Sequence, residues 1–131
     1  MADEEATIYR EKVSEVVEVP GADDLVQSRA VPSEIKVSVG GVYKRGELMM
    51  SNGDNEFMTA TAAGLAGAQE VCILCRDCDI PNGQTLFTAG YFSGTFNADK
   101  VILSYESEGD DHAELIEAVK VSLRRRAIYF N

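Results

Sequence analysis

Apolar and polar residues alternate strictly along residues 34–39, Glu-Ile-Lys-Val-Ser-Val, the period of a half-buried strand. Gly40-Gly41 end it, and Lys44-Arg45-Gly46 reads as a tight turn whose glycine takes positive φ. Leu48 and Met50 open the next strand, closed by Ser51-Asn52-Gly53-Asp54. Asn-Gly between apolar runs is a strong hairpin signal, so residues 56–59 are expected to pair back. The small residues of 61–69 predict a loop or a short helical turn, and the apolar run 70–75 a buried strand. Pro81-Asn82-Gly83-Gln84 turns the chain, and residues 85–96 return as a long strand in which Gly90 and Gly94 mark bulges or bends. Residues 101–105 predict a further strand and 106–110 a polar loop.

From Asp111 the period becomes helical. Leu115, Ile116, Val119 and Leu123 make one apolar stripe, and Asp111 with Glu114 three residues on forms a capping-box pattern. Arg124-Arg125-Arg126 complements the negative end of the helix dipole, and Ile128 with Phe130 predicts a closing strand. These elements define a β-rich α+β fold: a small, partly open β-barrel or sandwich with a C-terminal helix and last strand. Pro20-Gly21 punctuates the chain before them. The organisation expected is a flexible acidic arm over residues 1–23 and one β-domain over 24–131.

Charge sharpens this division. The chain of 131 residues carries a net charge of −10, and its first 24 residues hold eight acids against Arg10 and Lys12. Phosphate backbones are bound by neutralising them with Lys and Arg, and only Arg124–Arg126 offers a basic run, so nucleic acid is excluded as a partner. No apolar run reaches the ~18 residues of a membrane span, and the acidic start has no signal-peptide character. The arm nevertheless carries Ile8, Tyr9, Val13, Val16, Val17 and Val19 among its charges. A solvating tail needs no such residues, whereas an arm that orders on a partner does.

The candidate chemistry reads as structure. Cys72, Cys75 and Cys78 form C-x-x-C-x-x-C, which on a loop would suit zinc or an iron–sulfur cluster. On a strand, alternation sends Cys72 and Cys78 to one face and Cys75 to the other, leaving small buried hydrophobes. Their odd number is a poor disulfide framework. Ser93, between Gly90 and Gly94, lacks the spacing of a nucleophile elbow, and the sole histidine, His112, falls in the first turn of the helix. Gly40-Gly41 with Lys44 lacks phosphate-loop spacing. Asp77, Asp79 and Asp99 have calcium-binding chemistry but more commonly cap turns. No enzyme activity, metal or cofactor is expected. A non-catalytic β-domain binding a glycan or host-surface ligand is the alternative; Tyr91, Phe92, Tyr105 and Tyr129 would be its exposed aromatics.

The run from Val71 to Leu103 carries a resemblance. Ile73-Leu74, Asp77, Asp79 and Gly94-Thr95-Phe96-Asn97-Ala98-Asp99 match the recurring pattern of the lambda-type bacteriophage head decoration proteins. Residues 115–126 followed by Ala127-Ile128-Tyr129-Phe130 resemble that family's terminal helix and last strand. The resemblance implies a structural protein of the virion, made in a bacterial host's cytoplasm, that binds the major capsid protein lattice as a homotrimer. It would stabilise the expanded head against the pressure of packaged DNA. It also implies an N-terminal segment, here within residues 7–29, that orders on the capsid. The leader is more acidic and richer in valine than the lambda protein's, and the cysteines in the signature strand are a further departure.

Overall fold

A computed structural model describes residues 8–10, 23–28 and 30–131 of the chain, the first three by their backbone alone. Nine strands and two helices follow in the order β1 (Ile8–Arg10), β2 (Val31–Val37), β3 (Gly41–Tyr43), β4 (Leu48–Ser51), β5 (Phe57–Thr59), α1 (Ala62–Gly67), β6 (Glu70–Leu74), β7 (Cys78–Ile80), β8 (Thr85–Phe96), α2 (His112–Arg124) and β9 (Ile128–Phe130). A 3-10 turn covers Ala98–Lys100.

The long strand β8 organises the sheet. It pairs antiparallel with β2 and β6, and parallel with β1 and β9. β6 continues to β4, and β4 to β5. The path then returns to β2 through a single isolated bridge, Lys36 to Glu56, so the barrel is partly open. β3 and β7 form a separate two-stranded ribbon.

Burial on both faces explains why β4 and β6 are apolar without alternation. Met49, Cys72, Leu74, Ile35, Val37, Phe57 and Leu86 point into the barrel, where Tyr43, Cys78 and Ile80 of the ribbon join them. Leu48, Met50, Val71, Ile73, Ala89 and Tyr91 point outward beneath Ile116, Val119 and Leu123 of α2. Tyr91 is opposite Pro32 and Ser93 opposite Val31, so Phe92 is an extra residue and β8 bulges there. The bulge changes the parity of the strand, which is how Phe96 reaches the same helix-covered core as Tyr91. It lies between the two glycines from which a bend was expected.

Most sequence expectations hold. The β4–β5 hairpin, the helical turn after Thr61, the long strand 85–96 and the closing strand are all present. Asp111 caps α2, although its carboxylate accepts the N–H of Ala113, one residue earlier than a capping box uses. Four details differ. The strand expected over 34–39 runs Val31–Val37, because β8 offers a longer ladder. The strand expected over 70–75 ends at Leu74. The strand expected over 101–105 is replaced by one isolated bridge, Ile102 to Glu47. Val101 and Leu103 are buried as an apolar strand would be, but the Ser104 hydroxyl turns away to Glu47 and the chain leaves the sheet. The ribbon β3–β7 had no signal in the sequence. Among the described residues no helix is long and apolar enough to cross a membrane.

Candidate functional site

The site with the most construction around it is the segment 23–28 that precedes β2, where the expected arm would end. Residues 24–28 continue the line of β2 along β8: the Gln27 N–H donates to the Thr95 carbonyl and the Asn97 N–H to the Leu25 carbonyl, each at 2.8 Å. Leu25 and Val26 are buried in the helix-side core. Asp24 turns the backbone with φ 65°, a conformation its short polar side chain tolerates. Asp23 is then clamped from below by Arg45.

Arg45 sits in the turn before β4 and reaches four groups. Its Nε donates to Asp23 Oδ2 at 2.6 Å and a terminal nitrogen to Asp23 Oδ1 at 3.2 Å. The other terminal nitrogen donates to the Cys75 carbonyl at 2.7 Å and to the hydroxyl of buried Tyr91 at 2.8 Å. The guanidinium carbon lies 5.5 Å from the Tyr91 ring centroid, within cation–π range. The Arg45 backbone N–H is held by Asp77 Oδ1 at 2.8 Å, which gives that signature aspartate a turn-capping role. Hydrogen bonding to Arg45 lowers the Asp23 carboxyl from its ordinary value, and the Asp23 carboxylate raises Arg45 in turn. The Asp23 side chain is 50% exposed, so the ion pair itself contributes no more than about 1 kcal/mol. The buried contacts to Tyr91 and Cys75 fix Arg45, and Arg45 then fixes Asp23 at the start of the segment 23–28.

Of the arm residues singled out by sequence, Ile8 and Tyr9 lie in β1, beside Thr85 and Leu86 of β8. Val13, Val16, Val17 and Val19 lie outside the described residues. Sequence reasoning missed Arg45 and Glu47. Glu47 is buried, accepts from Thr59 and Ser104 hydroxyls at 2.8 Å each, and receives the Lys44 N–H at 3.3 Å. It thereby ties the turn before β4 to the end of β5 and to the irregular segment 101–105. The only available signal was an acid placed between a turn glycine and the apolar run Leu48-Met49-Met50.

The cysteines form no disulfide and are buried, Cys72 in β6, Cys75 in the link after it and Cys78 at the start of β7. Cys72 and Cys78 face the barrel interior and Cys75 the helix side. Burial pushes the Cys72 thiol well up, so it is neutral rather than a thiolate ligand. A Cβ on Gly90 would stand 2.5 Å from Cys72 Sγ, so the two positions fit only as a small pair. Among the described residues no three His, Cys, Asp or Glu side chains gather as a metal site would need. Tyr91 is fully buried, Phe92 and Tyr105 are half-buried against the cores, and Tyr129 alone of the four candidate aromatics is exposed.

His112 is engaged at both ring nitrogens. Nδ1 is 2.8 Å from Glu106 Oε2 and Nε2 is 2.9 Å from the Ala98 carbonyl. A neutral imidazole has one N–H for these two acceptors, so the charged form fits better. The Ala98 carbonyl, and after it Glu106, raises the His112 pKa; partial burial opposes them. A raised folded-state value places the stabilisation below the unfolded value of about 6.5. It is lost as pH climbs through the folded value. The effect is on the order of 1 kcal/mol, since the positive end of the α2 dipole works against a charged histidine. Thermal unfolding of wild type and His112→Gln should therefore differ most near pH 5.5 and converge above neutrality. A constant gap across that range would contradict this account.

No protein-family model and no curated protein matches the chain.

Proposed function

We propose that this chain is a structural head decoration protein of a lambda-type phage or prophage. It binds the outer surface of the expanded capsid as a homotrimer and stabilises the shell against packaged-DNA pressure. The observation that carries the reading is where the signature run falls. Ile73-Leu74 lie in β6, and Gly94-Thr95-Phe96 end β8, the strand on which the sheet is centred. Asn97 caps the 3-10 turn that follows, accepting the Asp99 N–H at 3.0 Å. The matched residues thus form one connected part of the fold, and the segment 23–28 is hydrogen-bonded to that same part at Thr95 and Asn97.

Other features support a binding role without catalysis. His112 has both nitrogens occupied, which leaves no free base, and the cysteines are core residues. Three of the four aromatics that a glycan platform would expose are spent on packing. Decoration acts by mass action: many copies that bind only the assembled lattice bias the shell toward its intact state. Trimeric symmetry multiplies weak arm contacts through effective concentration.

Co-sedimentation with empty expanded heads tests the reading. The full chain should pellet with expanded heads and not with dispersed capsid subunits, and should raise the heads' resistance to heat. Removing residues 1–20 should weaken pelleting by at least about tenfold while shifting the isolated domain's thermal midpoint far less. Equal pelleting with heads and dispersed subunits, or with neither, would reject decoration in favour of the ligand-binding alternative.

A further inference from the structure

The barrel is held shut between β2 and β5 by very little. The Lys36 N–H donates to the Asn55 carbonyl, and the Asn55 side-chain amide to the Glu34 carbonyl, each at 3.0 Å. Beyond the Lys36–Glu56 bridge both strands run on in the same direction, yet among the described residues no ladder pair joins them. Strand alternation settles which backbone groups face the gap. The Ala60 N–H donates to the Leu48 carbonyl, so on β5 Ala60 and Met58 turn their backbone groups toward β4. Phe57 and Thr59 therefore turn theirs away from β4, to the side on which Asn55 meets β2. On the opposite wall Lys36 faces the gap, and by the same alternation so does Ser38.

Two strand edges thus look into one open groove of about 540 Å³, bordered by Ser38, Val39, Asp54, Glu56 and Met58. Val39 is 52% exposed and Met58 42%, whereas neighbouring Phe57 is 1% exposed inside the barrel. Both acids are exposed, and among the described residues no Lys or Arg is in the groove's lining, although Lys36 bridges Glu56 at its closed end.

We propose that this groove docks an extended basic segment of another protein, which adds as a strand between β2 and β5 and closes the barrel. Main-chain edges accept the N–H and C=O groups of any extended chain, while side-chain pockets give the choice of sequence. Val39 and Met58 receive apolar side chains on alternate positions, and Asp54 with Glu56 selects flanking Lys or Arg. Charge removes the two occupants nearest at hand. The chain's own first 24 residues hold eight acids against two bases. A second copy carries the same net charge of −10, and symmetric docking of the groove on itself would set Asp54 and Glu56 against their own equivalents. An unsatisfied edge at this position is also one that a partner would protect.

The test is a backbone-amide NMR titration of the full chain with the synthetic peptide Lys-Thr-Val-Thr-Val-Thr-Lys and with its Glu-flanked counterpart. The basic peptide should move the amide signals of Ser38 and Thr59 and slow their hydrogen exchange. Its affinity should fall between about 0.15 M and about 0.5 M salt, and the acidic peptide should leave those signals in place. Met58→Lys, at an exposed position, should lose at least about tenfold in affinity with an unchanged thermal midpoint. Val39→Lys is the second variant should Met58→Lys perturb the fold. The proposal is overturned by equal responses to both peptides, by no response at these amides, or by a folded Lys variant that binds as wild type does. A response centred on Thr85–Phe87 would also overturn it, since it would mean that the peptide displaces β1 from β8.

Discussion

Gly46→Ala is expected to cost about 3–5 kcal/mol, a large share of the ~5–15 kcal/mol that holds a domain of this size. Gly46 has φ +97°, which an L side chain adopts only under strain of about 1–3 kcal/mol. The new Cβ would also lie 2.6 Å from the Lys100 carbonyl oxygen. That oxygen is backbone, fixed in the 3-10 turn whose Lys100 N–H is bonded to the Asn97 carbonyl, so it cannot swing aside. Moving Gly46 instead would break two bonds of 2.9 Å, its N–H to the Leu74 carbonyl and its own carbonyl to the Ile102 N–H. Gly64→Ala is the control. There the added Cβ meets only side-chain ends, the flexible Met50 thioether and the Thr61 cap hydroxyl, rather than backbone, and alanine is the better helix former. Urea unfolding of both variants decides the matter: similar midpoints would show that the turn yields and that the crowding at Gly46 carries no cost.

Ending the chain at Arg126 is expected to abolish cooperative unfolding altogether. The lost segment supplies Ile128, 1% exposed in the helix-side core, and half-buried Phe130 packed against it. Burial of two such side chains is worth about 3–5 kcal/mol. The segment also supplies the Ala127 carbonyl to the Gly94 N–H at 2.9 Å and the Asn131 N–H to the Phe96 carbonyl at 2.8 Å. Losing these leaves an unpaired edge on the central strand beside an uncovered core. Together the losses rival the whole stability of the domain. Circular dichroism and size-exclusion chromatography should show a partly unfolded or aggregated product. A truncated chain that melts like the full one would mean that β9 is dispensable to the fold.

What was legible in the sequence was whatever a local period or a local turn expressed. The strand 85–96 lies between a Pro-Asn-Gly turn and an Asn cap, and it is observed with those bounds. The stripe Ile116, Val119, Leu123 and the Asp111 cap are likewise local, and both are present. The cysteines fall on the two expected sides, but β6 ends at Leu74 and Cys78 opens β7, so one alternating strand is not what divides them. Features created by tertiary contact were not legible. The strands β3 and β7 are three residues each, too short for any period to show. Apolar Val101 and Leu103 look like strand residues, but buried Glu47 draws Ser104 aside. Arg45 reads as one more charge in a turn, because its partners Asp23, Cys75 and Tyr91 are remote in sequence. The arm's own residues beyond β1 gave a pattern of charge and valine but no period that fixes an element.

The centrality of β8 has a kinetic consequence. Among the described residues β2, at residues 31–37, has no ladder partner but residues 86–93, and β9 none but residues 94–96. At ~5–20 residues per second, a nascent chain carries β2 unpaired for several seconds before β8 leaves the ribosome. The hairpin β4–β5 and its neighbour β6 form in the interval, because they are close in sequence. Both faces of that early sheet are apolar, with Leu48, Met50 and Ile73 on one and Met49, Cys72 and Leu74 on the other. Folding of this topology is therefore slow and late, its rate set by closure of distant segments. Until β8 arrives, Cys72, Cys75 and Cys78 lack the cover of Gly90, Ala89 and Thr88, and the apolar sheet beside them is open, so the yield of native protein depends on how well the chain is shielded while it is incomplete.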